Sequence, residues 1–278
     1  MKFLRYILRN AMRNPVRSLL TIGSTAVCLF LMMILLAFLA VQTEATQSLR
    51  PYNRIVVMSS QGFAQPLPIA MVNDLRGMKS AGVVDATPFS WYGGKLGEEE
   101  MPFAQFGVDP ATFFTVYDEL IIPEDQKAAW RDNLAGCIIG KKMAVERGFK
   151  IGDKIPLKGT IYEFPLDLTV SGIYDGPENS DKRSLYFNWK YLEEGLKKDF
   201  AGRGAGNAGV VVVKCDDSSR IAALSKTIDD QMINTPTPTR TQTEEAFGNQ
   251  FLEMLGDVRG VIRNVGLAVV FSLVCVAA

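Results

Sequence analysis

The sequence offers few side chains suited to covalent or acid–base chemistry. It contains no histidine, which removes Ser-His-Asp and Cys-His nucleophilic sites, histidine-bound zinc and the usual proton shuttle together. Its four cysteines, Cys28, Cys137, Cys215 and Cys275, show no Cys-x-x-Cys spacing. Cys28 and Cys275 sit in long apolar runs, where a thiol packs as a small hydrophobe. Cys137 and Cys215 fall on strand-like segments and are either two buried thiols or, in an oxidising compartment, a disulfide. Glu98-Glu99-Glu100 reads as a solvated turn, because no second acidic cluster with ligand spacing accompanies it. Catalytic, cofactor and metal residues are therefore expected to be none.

Two glycine patterns resemble phosphate loops and fail on context. Gly204, Gly206 and Gly209 satisfy G-x-G-x-x-G, but they follow a helical stretch and open the apolar run Val210–Val213. A dinucleotide fingerprint requires the reverse, a strand before and a helix after. In Gly136-Cys-Ile-Ile-Gly140-Lys141-Lys142 the spacing is one residue short and no Ser or Thr follows the lysine. With 30 basic against 30 acidic residues, the chain also lacks the cationic surplus that nucleic-acid binding needs.

The charges are unevenly placed. Residues 1–43 hold no Asp or Glu but carry Lys2, Arg5, Arg9, Arg13 and Arg17. At about 100° per residue these five cations fall on one side of a leader helix over 1–17, suited to lying on anionic headgroups. Pro15 then bends or restarts the chain. Leu19–Val41 follows without a single charge, long enough at about 1.5 Å per residue to cross a hydrocarbon core of about 30 Å. A transmembrane helix is expected over 18–42, with the N-terminus cytoplasmic because the cations precede the span. Residues 243–278 read as a stalk helix entering a second span near Arg263. Thr241 and Glu244 have capping-box spacing at its start, and a chain that stops within such a span reads as a fragment.

Residues 43–242 are too many for a connector and enough for a core. Strand signals fall at Arg54–Met58, Val83–Trp91, Met101–Val108, Cys137–Ile139, Lys154–Thr160, Leu166–Tyr174, Ser184–Asn188, Val210–Lys214 and Thr237–Thr241. Helical patterns fall at Pro68–Met78, Pro110–Tyr117, Pro123–Asn133, Lys141–Arg147, Tyr191–Phe200 and Ser218–Ile233. Residues 54–88 and 210–241 echo each other as strand, helix, strand. This makes the chain α+β: an extracytoplasmic domain of two lobes, one from 50–95 with 205–242 and an inserted one from 96–204.

Cys137–Tyr174, with its Gly148 helix stop, Gly152-Asp153 turn and Gly172-Ile173 strand end, resembles the periplasmic domain of the FtsX-like, or MacB-type, permease family of ABC transporters. Asn14 and Pro15 within Arg13-Asn-Pro-Val-Arg-Ser-Leu-Leu20 resemble the family's entry into its first membrane helix. The resemblance implies a multi-pass permease in the bacterial inner membrane. It also implies a dimer with a second permease protomer, paired with an ABC ATPase subunit that carries the ATP and Mg. A periplasmic adaptor or outer-membrane component is a further implied partner. Family members have four transmembrane helices, so the sequence given covers only the first of them and part of the second. The bare order of span, domain and span also fits a membrane-bound sensor, a kinase or chemoreceptor.

Overall fold

The computed structural model describes residues 13–47, 52–97, 103–178, 180–199, 202, 204–254 and 266. Lys2, Arg5 and Arg9 of the expected leader, Glu98–Glu100, and the stalk and second span beyond 254, apart from residue 266, lie outside the described residues. The chain divides into two units, Met1–Gln47 with Gly248–Ala278, and Ser48–Phe247.

In the first unit, α1 runs from Pro15 to Gln47 over 33 residues, about 50 Å of helix. Pro15 opens the helix, with the Asn14 carbonyl accepting the Ser18 N–H at 3.1 Å. A proline at this place forfeits only an N–H that has no intrahelical partner. The Ser24 and Thr25 hydroxyls donate to the Thr21 carbonyl at 3.4 and 2.8 Å, so these polar groups are satisfied inside the helix. Val16, Ile22, Leu29, Phe30 and Met33 are each more than half exposed. Among the described residues no helix is long and apolar enough to cross a membrane. The side chains at 17, 19, 20, 28, 35 and 38–47 lie outside the described set, so the span expected over 18–42 is carried by the sequence alone.

The second unit is α+β. It begins with β1 (Arg54–Ser59), β2 (Leu67–Pro68), α2 (Ala70–Gly77), β3 (Val83–Trp91), β4 (Lys95–Leu96) and β5 (Gln105–Val108). It continues with α3 (Phe113–Val116), α4 (Glu124–Asp132), β6 (Gly136–Gly140), α5 (Lys141–Arg147), β7 (Lys154–Lys158) and β8 (Pro165–Tyr174). It closes with β9 (Leu185–Asn188), α6 (Trp189–Asp199), β10 (Asn207–Ala208), β11 (Val210–Cys215), α7 (Ile221–Met232), β12 (Thr239–Thr243) and the start of α8 (Glu244–Met254). Among the described residues ten strands form one sheet in the order β12-β1-β11-β3-β5-β9-β6-β8-β7-β4. At one end β12, β1, β11 and β3 are antiparallel and are linked as two strand-helix-strand units, a split β-α-β layout. β3 pairs with β11 through Val83–Phe89 and with β5 through Phe89–Trp91, so it belongs to both halves of the sheet.

Side chains alternate between sheet faces, and the cores follow that alternation. Ile55, Val57, Val211 and Val213 pack with Leu75 of α2 and Leu224 and Ile228 of α7. Cys137, Ile139, Ile155 and Leu168 pack with Met143 of α5 and Leu192 of α6. The third cluster joins Val56, Met58 and Val212 to Ile138, Tyr174 and Tyr186, together with Phe113, Val116 and Trp130 of α3 and α4. It therefore spans strands of both halves.

Several elements differ from the sequence expectation. β12 lies two residues later than Thr237–Thr241, and β5 begins at Gln105 rather than Met101. The expected capping box is replaced: Thr243 caps α8, its Oγ1 accepting the Ala246 N–H at 3.2 Å. Thr241 is still in β12, and its hydroxyl and N–H both donate to Asp229 of α7, at 2.7 and 2.9 Å. The pairings of β5 with β9 and of β6 with β8 are parallel.

Candidate functional site

Arg54 opens β1 and shares its sheet face with Val56 and Met58, the face covered by α3. Its side chain is 4% exposed, and a buried cation requires partners. Nη1 lies 2.7 Å from Glu119 Oε2 and 3.3 Å from the Val116 carbonyl, while Nε lies 2.7 Å from Glu244 Oε2. The guanidinium also stands over the rings of Tyr117 and Tyr52, 4.2 and 4.6 Å from their centroids, in cation–π geometry. The Tyr117 hydroxyl donates to Glu244 Oε1 at 3.1 Å. Burial alone would lower the Arg54 pKa; the charges of Glu244 and Glu119 outweigh it and hold the guanidinium above its ordinary value. Burial and the Glu244 charge push the Tyr117 phenol well up.

Three stretches distant in sequence meet here: the start of β1, the loop after α3, and the first residue of α8. Glu244 also lies at a helix N-terminus, which favours an anion. Three residues on, on the same helix face, Phe247 packs against Phe63 with ring centroids 5.4 Å apart. The first turn of α8 thus meets the sheet domain through both charge and aromatic contacts. With both carboxylates engaged by one guanidinium, the chemistry is that of an electrostatic anchor rather than of proton transfer.

The glycine patterns are engaged in packing. Gly206 N–H donates to Glu193 Oε2 at 2.8 Å and Gly209 N–H to Ser90 Oγ at 3.1 Å, so a carboxylate already occupies the loop. At Gly140, the N-cap of α5, a Cβ would stand 2.0 Å from the Lys182 carbonyl oxygen. That carbonyl accepts the Met143 N–H at 3.1 Å, filling the helix end where a phosphate would sit. Cys137 and Cys215 are free and buried, in separate clusters. Among the described residues no group of His, Cys, Asp and Glu could hold a metal ion.

Of the motif residues, Gly148 ends α5 with φ +71°. Gly152, φ +93°, turns the chain into β7, a conformation that L side chains rarely adopt. Asp153 Oδ2 accepts the Lys150 N–H at 2.8 Å, and the Gly152 N–H and Asp153 carbonyl bond Val170. Gly172 lies two residues further along β8, where Ile122 and Gln126 approach it closely. These four form one turn-and-strand assembly. Asn14 and Pro15 start α1, and Arg13 is exposed just before it; the Arg17 side chain is outside the described set. No motif residue belongs to the Arg54 group. An open groove of about 490 Å³ lies beside this assembly, bounded by Ile121, Val145, Phe149 and Ile173, with Lys141 and Lys182 on Asp175 at 2.7 and 3.1 Å.

Residues 18–231 match the family of MacB-like periplasmic core domains. Among solved structures, the extracellular domain of the noncanonic ABC-type transporter YknZ from Gram-positive bacteria is similar. It shares 16% identity, with 69% of this chain and 100% of that one covered and a TM-score of 0.45. A domain of a protein described as a permease, from Porphyromonas gingivalis, shares 13% identity over 68% of this chain and 88% of that one, with a TM-score of 0.42. No curated protein matches the sequence.

Proposed function

Because the chain belongs to the family of MacB-like periplasmic core domains, we propose that it is the permease component of an ABC transporter. In this reading it couples ATP hydrolysis by a partner ATPase to movement of its extracytoplasmic domain, for export or extraction of a substrate. The observation that carries the reading is the extent of the match, 18–231. It takes in the uncharged run Leu19–Val41 and most of the sheet domain as one arrangement.

α1 crosses the membrane from a cytoplasmic N-terminus, and Lys2, Arg5, Arg9, Arg13 and Arg17 rest on anionic headgroups. The exposed apolar side chains of α1 support this, since water is an unfavourable neighbour for such a surface. The sheet domain lies outside the cytoplasm. A second permease protomer completes the membrane unit, ATP and Mg reside on the ATPase, and an adaptor or outer-membrane component meets the domain. α8 carries motion between the membrane and the sheet, and the Arg54 group is the grip that passes it on.

The test is to reconstitute the full permease with its ATPase in vesicles and place a proline at Leu252, within α8. A proline inside a helix costs about 3 kcal/mol and breaks its continuity. Transport should fall while ATP turnover and assembly persist; unchanged transport would remove the coupling role. A periplasm-active reporter fused at Gly204 should be active, and activity only from a cytoplasmic reporter there would overturn the topology.

A further inference from the structure

Packing within the sheet domain does not account for the outer face of α5. Met143 and Ala144 are buried against the sheet, whereas Val145, one residue on, is 77% exposed. A β-branched residue is a poorer helix former than the lysines and glutamate around it, and in water its apolar surface goes uncovered. Ile121, 68% exposed, is in the same position on a separate segment, which the Asp175 backbone fixes through paired hydrogen bonds of 2.8 Å. Both side chains border the groove of about 490 Å³, beside Phe149 and Ile173, so they form one surface rather than two scattered exposures. The polar border of that surface is cationic. Lys141 and Lys182 share Asp175 at 2.7 and 3.1 Å, two positive charges on one negative. Lys142 is exposed and lies three residues before Val145, its neighbour on the helix surface.

The acids nearby are already engaged. Arg183 holds Glu146 at 2.9 Å, Asp153 accepts the Lys150 N–H, and Asp181 accepts the Ser184 hydroxyl and the Arg183 N–H. Towards α4, Glu124 holds Lys127 at 2.7 Å and Asp125 follows it, so the cationic surplus lies on the α5 side. We propose that this groove seats a segment of a partner protein, with aliphatic side chains between Ile121 and Val145 and carboxylates along α5 against Lys141 and Lys142. A small molecule fits the surface less well, because the groove is open and ligand sites cover most of what they bind. A bilayer presents a flat surface, which would meet Val145 and Ile121 but leave Phe149 and Ile173 uncovered. A polypeptide segment can cover the borders and fill the groove together, and its acids give it register and orientation.

The inference rests on the sheet domain alone, so its failure would leave the transporter reading as it stands. The experiment selects short peptides from a random displayed library on the full chain in phosphatidylcholine nanodiscs, with empty nanodiscs as counter-selection. The selected peptides should combine Leu, Ile or Val with Asp or Glu. Their affinity, read by fluorescence anisotropy, should fall about tenfold or more with Val145→Asp, which sets a charge against their apolar side chains. Lys142→Glu should weaken them about fivefold or more. Peptides whose acids are exchanged for lysine should instead prefer Lys142→Glu to the parent, a reversal that no change in stability could produce. Both substituted side chains are exposed, so the urea midpoint from tryptophan fluorescence should stay at the parent value. A library without binders, binders without the acidic bias, or binders indifferent to Val145→Asp would overturn the proposal. Displacement of the peptides by phosphatidylglycerol vesicles would also overturn it, by assigning the groove to lipid.

Discussion

Substitution of Gly140 by alanine separates close packing from phosphate binding as the reason for that glycine. A Cβ there would stand 2.0 Å from the Lys182 oxygen and 2.2 Å from its carbonyl carbon. Both contacts are with backbone, so no side chain can rotate out of the way. Restoring a tolerable separation requires a movement of about 1 Å, large for a close-packed interior. The same movement stretches Gly140 N–H to Ser184 O and Met143 N–H to Lys182 O, each 3.1 Å, beyond bonding distance. Two buried hydrogen bonds weakened at about 1–1.5 kcal/mol each, with some overpacking strain, give a loss of about 3 kcal/mol. For a domain of this size that corresponds to about 6–12 °C in Tm. The three tryptophans, Trp91, Trp130 and Trp189, all lie in the sheet domain, and Trp130 Nε1 donates to the carbonyl of Gly136 in β6. Their fluorescence during urea or thermal unfolding reads the change where it occurs. A Gly140→Ala protein within about 0.5 kcal/mol of the parent would refute the packing argument.

Two further outcomes follow from the charge and thiol environments. Burial pushes the Cys137 thiol well above its ordinary range, and burial with the neighbouring Asp216 pushes Cys215 up to about 11. With Cys28 and Cys275 replaced by serine, the folded chain should take up no maleimide at pH 7, and labelling within minutes would contradict the burial. Lys141, the Gly176 N–H and Lys182 hold Asp175 below the usual carboxylate range, so its stabilising effect is full above the unfolded pKa of about 4 and shrinks as pH falls below it. Asp175→Asn should therefore destabilise at pH 7, by less than about 1 kcal/mol for so exposed a group, and by less at pH 3. A larger effect at pH 3 than at pH 7 would reverse the sign of the argument.

The sequence is informative where structure is local. Val83–Trp91 and Lys141–Arg147 have the bounds read from alternation and from the Gly148 stop, and the hairpin of β7 and β8 is announced by its short connection. The cap of α8 is displaced by two residues because Thr241 and Thr243 both sit ahead of glutamates, and the ladder to β1 decides between them. Parallel pairings such as Gln105 with Leu185 join residues with no shared local signal. The Arg54 group is invisible in the same way. A lone arginine at the head of Ile-Val-Val-Met looks like a solvated strand end, and its two carboxylates lie 65 and 190 residues away. Only the alternation that sends Arg54 to the face of Val56 and Met58 hinted at burial.

The place of Arg54 on β1 rather than on β12 has a mechanical consequence. β12 is the edge of the sheet, and a pull applied through its end alone would peel it, breaking ladder bonds one after another at low force. The contact between Glu244 and Arg54 hands part of that load to the next strand inward, bonded on both sides by β12 and β11. The tug then meets several ladders loaded together in shear, and the rim of the sheet is spared. Under the proposed coupling, a pull along α8 would therefore spare the strand that leads into it.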